Sequence, residues 1–99
     1  MANVIFRQEA IDDLNDIWFY TFQEWSETQA DKYYSYIQHA CKSIGENPAI
    51  GREYDEIKEN LFGLKSQKHI IFYQIVSNDE IEIIRILHGR MDLKNRVIK

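Results

Sequence analysis

Two apolar, β-branched runs, residues 69–76 and 81–87, flank a polar break of Ser77, Asn78, Asp79 and Glu80, and they limit what this 99-residue chain can become. Val, Ile, Phe and Tyr fit a pleated, half-buried surface, and a short Ser-Asn-Asp break fits a hairpin loop. Each run is apolar at almost every position instead of at alternate ones. In the first, strand periodicity sends Ile70, Phe72 and Val76 to one face and Ile71, Tyr73 and Ile75 to the other. In the second, Ile84 and Ile86 oppose Ile81, Ile83 and Leu87. Strands of this kind belong near the centre of a sheet covered on both sides. Arg85 interrupts an apolar face, and the second run leads directly into His88, Arg90 and Asp92.

The rest of the chain reads as support or cover for that hairpin. Residues 3–7 form a short apolar run suited to a first strand. Ala10, Leu14, Ile17 and Thr21 then recur at helical spacing, with Asp12, Asp13 and Asp16 in the first half, where carboxylates oppose the positive helix end. This predicts a helix over residues 8–24. Ser26-Glu27-Thr28-Gln29 is a capping-box pattern that starts a second helix, striped by Ala30, Tyr33, Tyr34, Ile37, Ala40, Cys41 and Ile44. Gly45 is placed to stop it, with Pro48 shortly beyond. Helices joined by so few residues pack as an antiparallel pair. Residues 48–60 are polar and punctuated by Gly51, so they read as a loop, and residues 61–67 form a weaker strand candidate. The expected architecture is one α+β domain over residues 1–99: an N-terminal strand, an αα-hairpin, then a three-stranded antiparallel sheet. The helices cover one face of the sheet. The other has only the loop and tail, so it is predicted to stay partly open and to bind something.

Composition narrows the function. A 44% hydrophobic content and a single Pro describe a folded chain. No run approaches the roughly 18 apolar residues a membrane span needs, and the amino terminus carries no secretion pattern. With one Cys, the expectation is a cytoplasmic protein without membrane contact. The net charge of −4 argues against nucleic-acid binding, but it is unevenly spread. Residues 1–60 carry 12 acidic and 5 basic side chains, whereas residues 61–99 carry 4 and 7. The asymmetry fits a solvated acidic helix face, or a basic sheet end for an acidic partner.

Catalytic and metal chemistry find little footing. His39, His69 and His88 fall on different predicted elements without ligand spacing, so no metal or other cofactor is expected. Cys41 shares an apolar stripe with Ile37 and Ile44 and reads as core. A metal-free ribonuclease would need a base, an acid and cations around a phosphate. Arg85, His88, Arg90, Tyr73 and Lys65 could supply them, but Arg85 and His88 have opposite strand parity and should project to different faces. His88 reads either as part of such a set or as a strand end hydrogen-bonded to backbone or to Asp92.

Several stretches together carry a family resemblance: Ala10 to Ile17, Trp25 with Gln29-Ala30 and Tyr33, Asn47-Pro48 with Ile50-Gly51-Arg52, and His69-Ile70-Ile71-Phe72-Tyr73. The most specific is Ile84-Arg85-Ile86-Leu87-His88-Gly89-Arg90-Met91-Asp92. In these the chain resembles the ParE toxins of bacterial type II toxin–antitoxin modules, within the RelE/ParE superfamily. The resemblance implies a strand–helix–helix–three-strand fold and inhibition of DNA gyrase by binding, without catalysis by the toxin. It also implies neutralisation by a ParD-like antitoxin, a ribbon-helix-helix protein whose carboxy-terminal segment folds onto the toxin. The alternative is a RelE-like ribosome-dependent mRNA endonuclease. Ile70 stands where that branch would place a strand Arg, and no Tyr or His follows Met91, so the resemblance favours the non-enzymatic branch. Arg85, His88, Arg90, Met91 and Asp92 are the expected target- or antitoxin-binding residues; Met91 and Asp92 equally suit a structural turn. Tyr73 and Arg52 are expected to stabilise the fold.

Overall fold

The computed structural model describes residues 2–89 and 97. Strand β1 (Asn3–Phe6) leads into helices α1 (Gln8–Glu24) and α2 (Glu27–Glu46). A 3-10 turn (Pro48–Ile50) precedes β2 (Arg52–Glu53), β3 (Phe62–Ser66), β4 (His69–Ser77) and β5 (Glu80–His88). The α+β architecture matches the expectation, but the sheet has five strands, ordered β1-β5-β4-β3-β2. β1 adds in parallel beside β5, with Val4 opposite Ile81, and the loop contributes β2 beside β3. The doubly apolar strands β4 and β5 lie inside the sheet, as their composition requires.

The helix boundaries follow local chemistry. The Ser26 hydroxyl accepts from the Gln29 backbone N–H at 3.1 Å, which satisfies one of the donors left unpaired at the start of α2. Gly45 does not stop that helix. It lies one residue inside, where a Cβ would sit 2.9 Å from Val4 Cγ2 and 3.3 Å from the Ala2 carbonyl oxygen. Its own carbonyl accepts from the Ala2 N–H at 3.0 Å, so the small residue lets β1 approach the helix end.

The hairpin register breaks the simple alternation. Phe72 faces Arg85 while Tyr73 faces Ile83, so β5 carries an extra residue at Ile84. Such a bulge reverses the parity of everything beyond it. Ile86 therefore joins Ile81 and Ile83 in the cluster under the helices, with Ala10, Leu14, Ile37, Cys41, Ile44, Ile71 and Tyr73. Leu87 joins Ile84, Ile70 and Phe72 on the opposite face. The predicted face assignments of Ile86 and Leu87 are thus exchanged.

The second face is not open. Leu61 is buried against it together with Val97, and Tyr54 and Ile57 pack on their border. Ile70, Phe72, Ile84 and Leu87 are all at most 9% exposed. Loop residues 54–61 fold into turns, with the Tyr54 N–H donating to the Leu61 carbonyl at 2.7 Å. The loop supplies a lid that its polar composition conceals.

Candidate functional site

Where α1 and α2 meet at their turn, they stand away from the ends of β4 and β5 and leave a cleft of about 840 Å³. Asp13, Asp16, Ile17, Tyr20 and Thr21 of α1 form one wall, and Gln29, Tyr33 and Tyr36 of α2 another. Trp25 stands at the turn, and His69, Arg85, Ile86, Leu87 and His88 lie along the sheet end. Tyr20 and Trp25 are 64% and 77% exposed, a poor arrangement for large aromatic rings unless something covers them.

The floor is a network of charge-assisted bonds. Arg85 Nε and one terminal nitrogen donate to the two oxygens of Asp13 at 2.7 and 2.8 Å. The Ile86 backbone N–H donates to the same carboxylate at 2.9 Å. This fork geometry binds strongly and holds the guanidinium in its charged form. Asp13 lies between Ala10, Leu14 and Ile17 on the buried flank of α1, so a cation was needed opposite it.

Beside this pair, the Lys68 N–H donates to Tyr33 Oη at 3.1 Å, and Tyr33 Oη lies 2.7 Å from His69 Nδ1. The direction of this second bond follows the His69 tautomer, and either way it engages Nδ1. His69 and His88 are cross-strand partners with ring centroids 5.4 Å apart. Burial, reinforced by His88 and partly opposed by Asp13, lowers the His69 pKa to about 4. His69 is neutral at pH 7.

Arg85 and His88 therefore line the same cleft. Their strand parity still differs, since the pairing is regular from Arg85 to His88, and Arg85 reaches the cleft because its guanidinium turns to Asp13 of α1. Arg90, Met91 and Asp92 lie outside the described residues. Elsewhere Tyr73 is fully buried; its hydroxyl donates to the Pro48 carbonyl at 2.7 Å and accepts from the Gly51 N–H at 2.9 Å. Arg52 lies 4.2 Å from the Tyr54 ring centroid and pairs with Glu56, so it fastens β2 to the loop. Cys41 is buried, which pushes its thiol pKa to about 12. His39 is exposed on α2, away from His69 and His88. Among the described residues, no group of three His, Cys, Asp or Glu could hold a metal ion, and no helix is long and apolar enough to cross a membrane.

Sequence reasoning missed Asp13, Tyr33 and His69 as site residues. The one available signal was Asp13, a carboxylate sharing the apolar flank of an amphipathic helix.

Residues 4–93 match the family described as "ParE toxin of type II toxin-antitoxin system, parDE". Toxin ParE1 of Mycobacterium tuberculosis is 38% identical over 80 residues, which span 81% of this chain and 82% of that protein. Toxin ParE1 of Caulobacter vibrioides is 33% identical over 82 residues, 83% of each chain. A solved structure titled "Chromosomal ParDE TA system from P. aeruginosa" shares the fold with a TM-score of 0.77 at 18% identity, covering 89% of this chain and 96% of that one. A second, a "YoeB-YefM complex from Staphylococcus aureus", has a TM-score of 0.58 at 18% identity, with 90% and 98% covered.

Proposed function

Because this chain belongs to the ParE toxin family of type II toxin–antitoxin systems, we propose that it inhibits DNA gyrase by binding and is neutralised by a ParD-like antitoxin in the cytoplasm. The family match over residues 4–93 carries this reading. We assign the cleft between the helical turn and the sheet end to the antitoxin. Its exposed Tyr20 and Trp25 offer anchor points to a segment that folds on binding. Arg85 and His88 on the cleft floor belong to that contact surface, and we extend it to Arg90, Met91 and Asp92.

We further propose that the toxin has no catalysis of its own. Phosphodiester cleavage needs a cation to meet developing charge and an acid to protonate the leaving group. Arg85 is committed to Asp13, and His69 is neutral with Nδ1 occupied by Tyr33. Both features support binding over phosphoryl chemistry.

A supercoiling assay with purified gyrase, the purified chain and the antitoxin encoded by the adjacent reading frame tests the proposal. Supercoiling should fall with added toxin and recover when the antitoxin is added first. Unchanged supercoiling across a broad toxin excess would overturn the gyrase assignment.

A further inference from the structure

α1 has two solvent-facing flanks, and the cleft uses only one. At 100° per residue, Asp13, Tyr20 and Glu24 project towards the cleft side. Ile11, Trp18 and Phe22 follow at i, i+7 and i+11 on the other flank, with Asn15 and Phe19 beside them. Ile11 is 38% exposed, Phe22 44% and Phe19 59%. These residues do not belong to either apolar cluster of the fold.

The stripe is a prepared surface. The Trp18 indole N–H donates to Asp31 of α2 at 3.0 Å, which fixes the ring across the helix pair. Phe22 packs on it with centroids 5.3 Å apart, and Phe19 meets it edge-on at 5.5 Å. Rigid aromatic anchors lose little entropy on binding and dominate protein interfaces. Asp12 and Asp16 border them on the rim beside Phe19, and α1 carries no Lys or Arg at all.

We propose that this aromatic stripe is the surface through which the toxin grips its cellular target, and that the target presents an apolar groove bordered by Lys or Arg. The border excludes other occupants. A second copy would bring the same carboxylates face to face, which costs affinity. Nucleic acid and anionic lipid would be repelled by α1. A basic protein surface is complementary in both charge and apolar character.

The inference rests on the toxin reading but not on gyrase being the target, so growth arrest is its readout. The wild-type chain, a Phe19→Ser/Phe22→Ser variant and an Asp12→Lys/Asn15→Lys variant would be expressed without antitoxin and compared at equal protein level. Melting temperature of each purified variant serves as the folding control. The wild type should arrest growth. Each variant should need at least about tenfold more protein to do so, because lost anchors and reversed border charges each cost 1.4 kcal/mol or more of affinity. The charge variant alters only exposed positions and keeps the test open if the Phe variant melts early. Undiminished arrest by either folded variant would overturn the proposal. A wild-type chain that does not arrest growth would overturn it together with the toxin reading. Arrest by the wild type with gyrase supercoiling unaffected would remove gyrase alone, and the loss of arrest in the variants would then still support the stripe.

Discussion

On its helix side the sheet is held by polar anchors set among apolar residues; on its loop side the described contacts are apolar packing alone. Asp13 receives three hydrogen bonds from β5, Tyr33 joins α2 to His69, and Tyr73 ties β4 to the loop after α2. Leu61, Ile70, Phe72, Ile84, Leu87 and Val97 close the other side without such bonds among them. Hydrogen bonds to buried groups are directional and costly to leave unmade, whereas apolar contact tolerates sliding. The helix side therefore fixes how the hairpin sits under α1 and α2. The loop side contributes area.

Removing one anchor should break this contrast most severely. Asp13→Ala leaves the Arg85 guanidinium and the Ile86 N–H without their acceptor in a largely buried place, at a cost of about 3–5 kcal/mol. The replacement of both charges, Asp13→Leu with Arg85→Met, should cost less than Asp13→Ala because no guanidinium is left behind without the Asp13 carboxylate. Urea denaturation of the three proteins decides it. If the single variant is the more stable of the two, the anchor does not work as described. Leu61→Ala on the loop side should cost about 2–4 kcal/mol, towards the lower end if the loop collapses into the space. A loss under 1 kcal/mol would mean the loop is only resting on the sheet.

The parts readable from the sequence are those governed by local rules. The helical repeat Ala10-Leu14-Ile17-Thr21 and the Ser26 cap located α1 and α2, and doubly apolar strands located the sheet interior. The bulge was invisible because Ile83 and Ile84 are the same residue type, and nothing in the composition marks Ile84 as the extra one. The loop lid was hidden because Tyr54, Ile57 and Leu61 are spread through a charged stretch. The pair Asp13–Arg85 joins residues 72 positions apart, which no local periodicity reports. At the site, Arg85 and His88 were legible as a strand end. Their sharing of a cleft depends on Asp13, 72 positions from Arg85, which draws the guanidinium to α1.

His69 gives the finest probe of the helix-side anchors. It is enclosed by Tyr33 of α2, His88 of β5 and the Asp13–Arg85 pair joining α1 to β5, with Lys68 preceding it in the chain. Its folded pKa of about 4 lies below the ordinary 6.5, so the unfolded chain binds a proton more readily than the folded one. Above pH 6.5 both forms are neutral and His69 adds no pH dependence. Between about pH 6.5 and 4 the unfolded state gains the proton first, and stability falls as the solution is acidified. Below pH 4 both forms are charged and the contribution levels off. The ring is partly solvent-exposed, so screening reduces the total to about 1–2 kcal/mol. Melting curves of the wild type and His69→Gln over this range should converge as pH falls, since the variant lacks the term. NMR titration of His69 supplies the direct check: a midpoint near 6.5 would mean that Tyr33 and burial do not hold the ring neutral, and that this anchor is weaker than the Asp13 pair beside it.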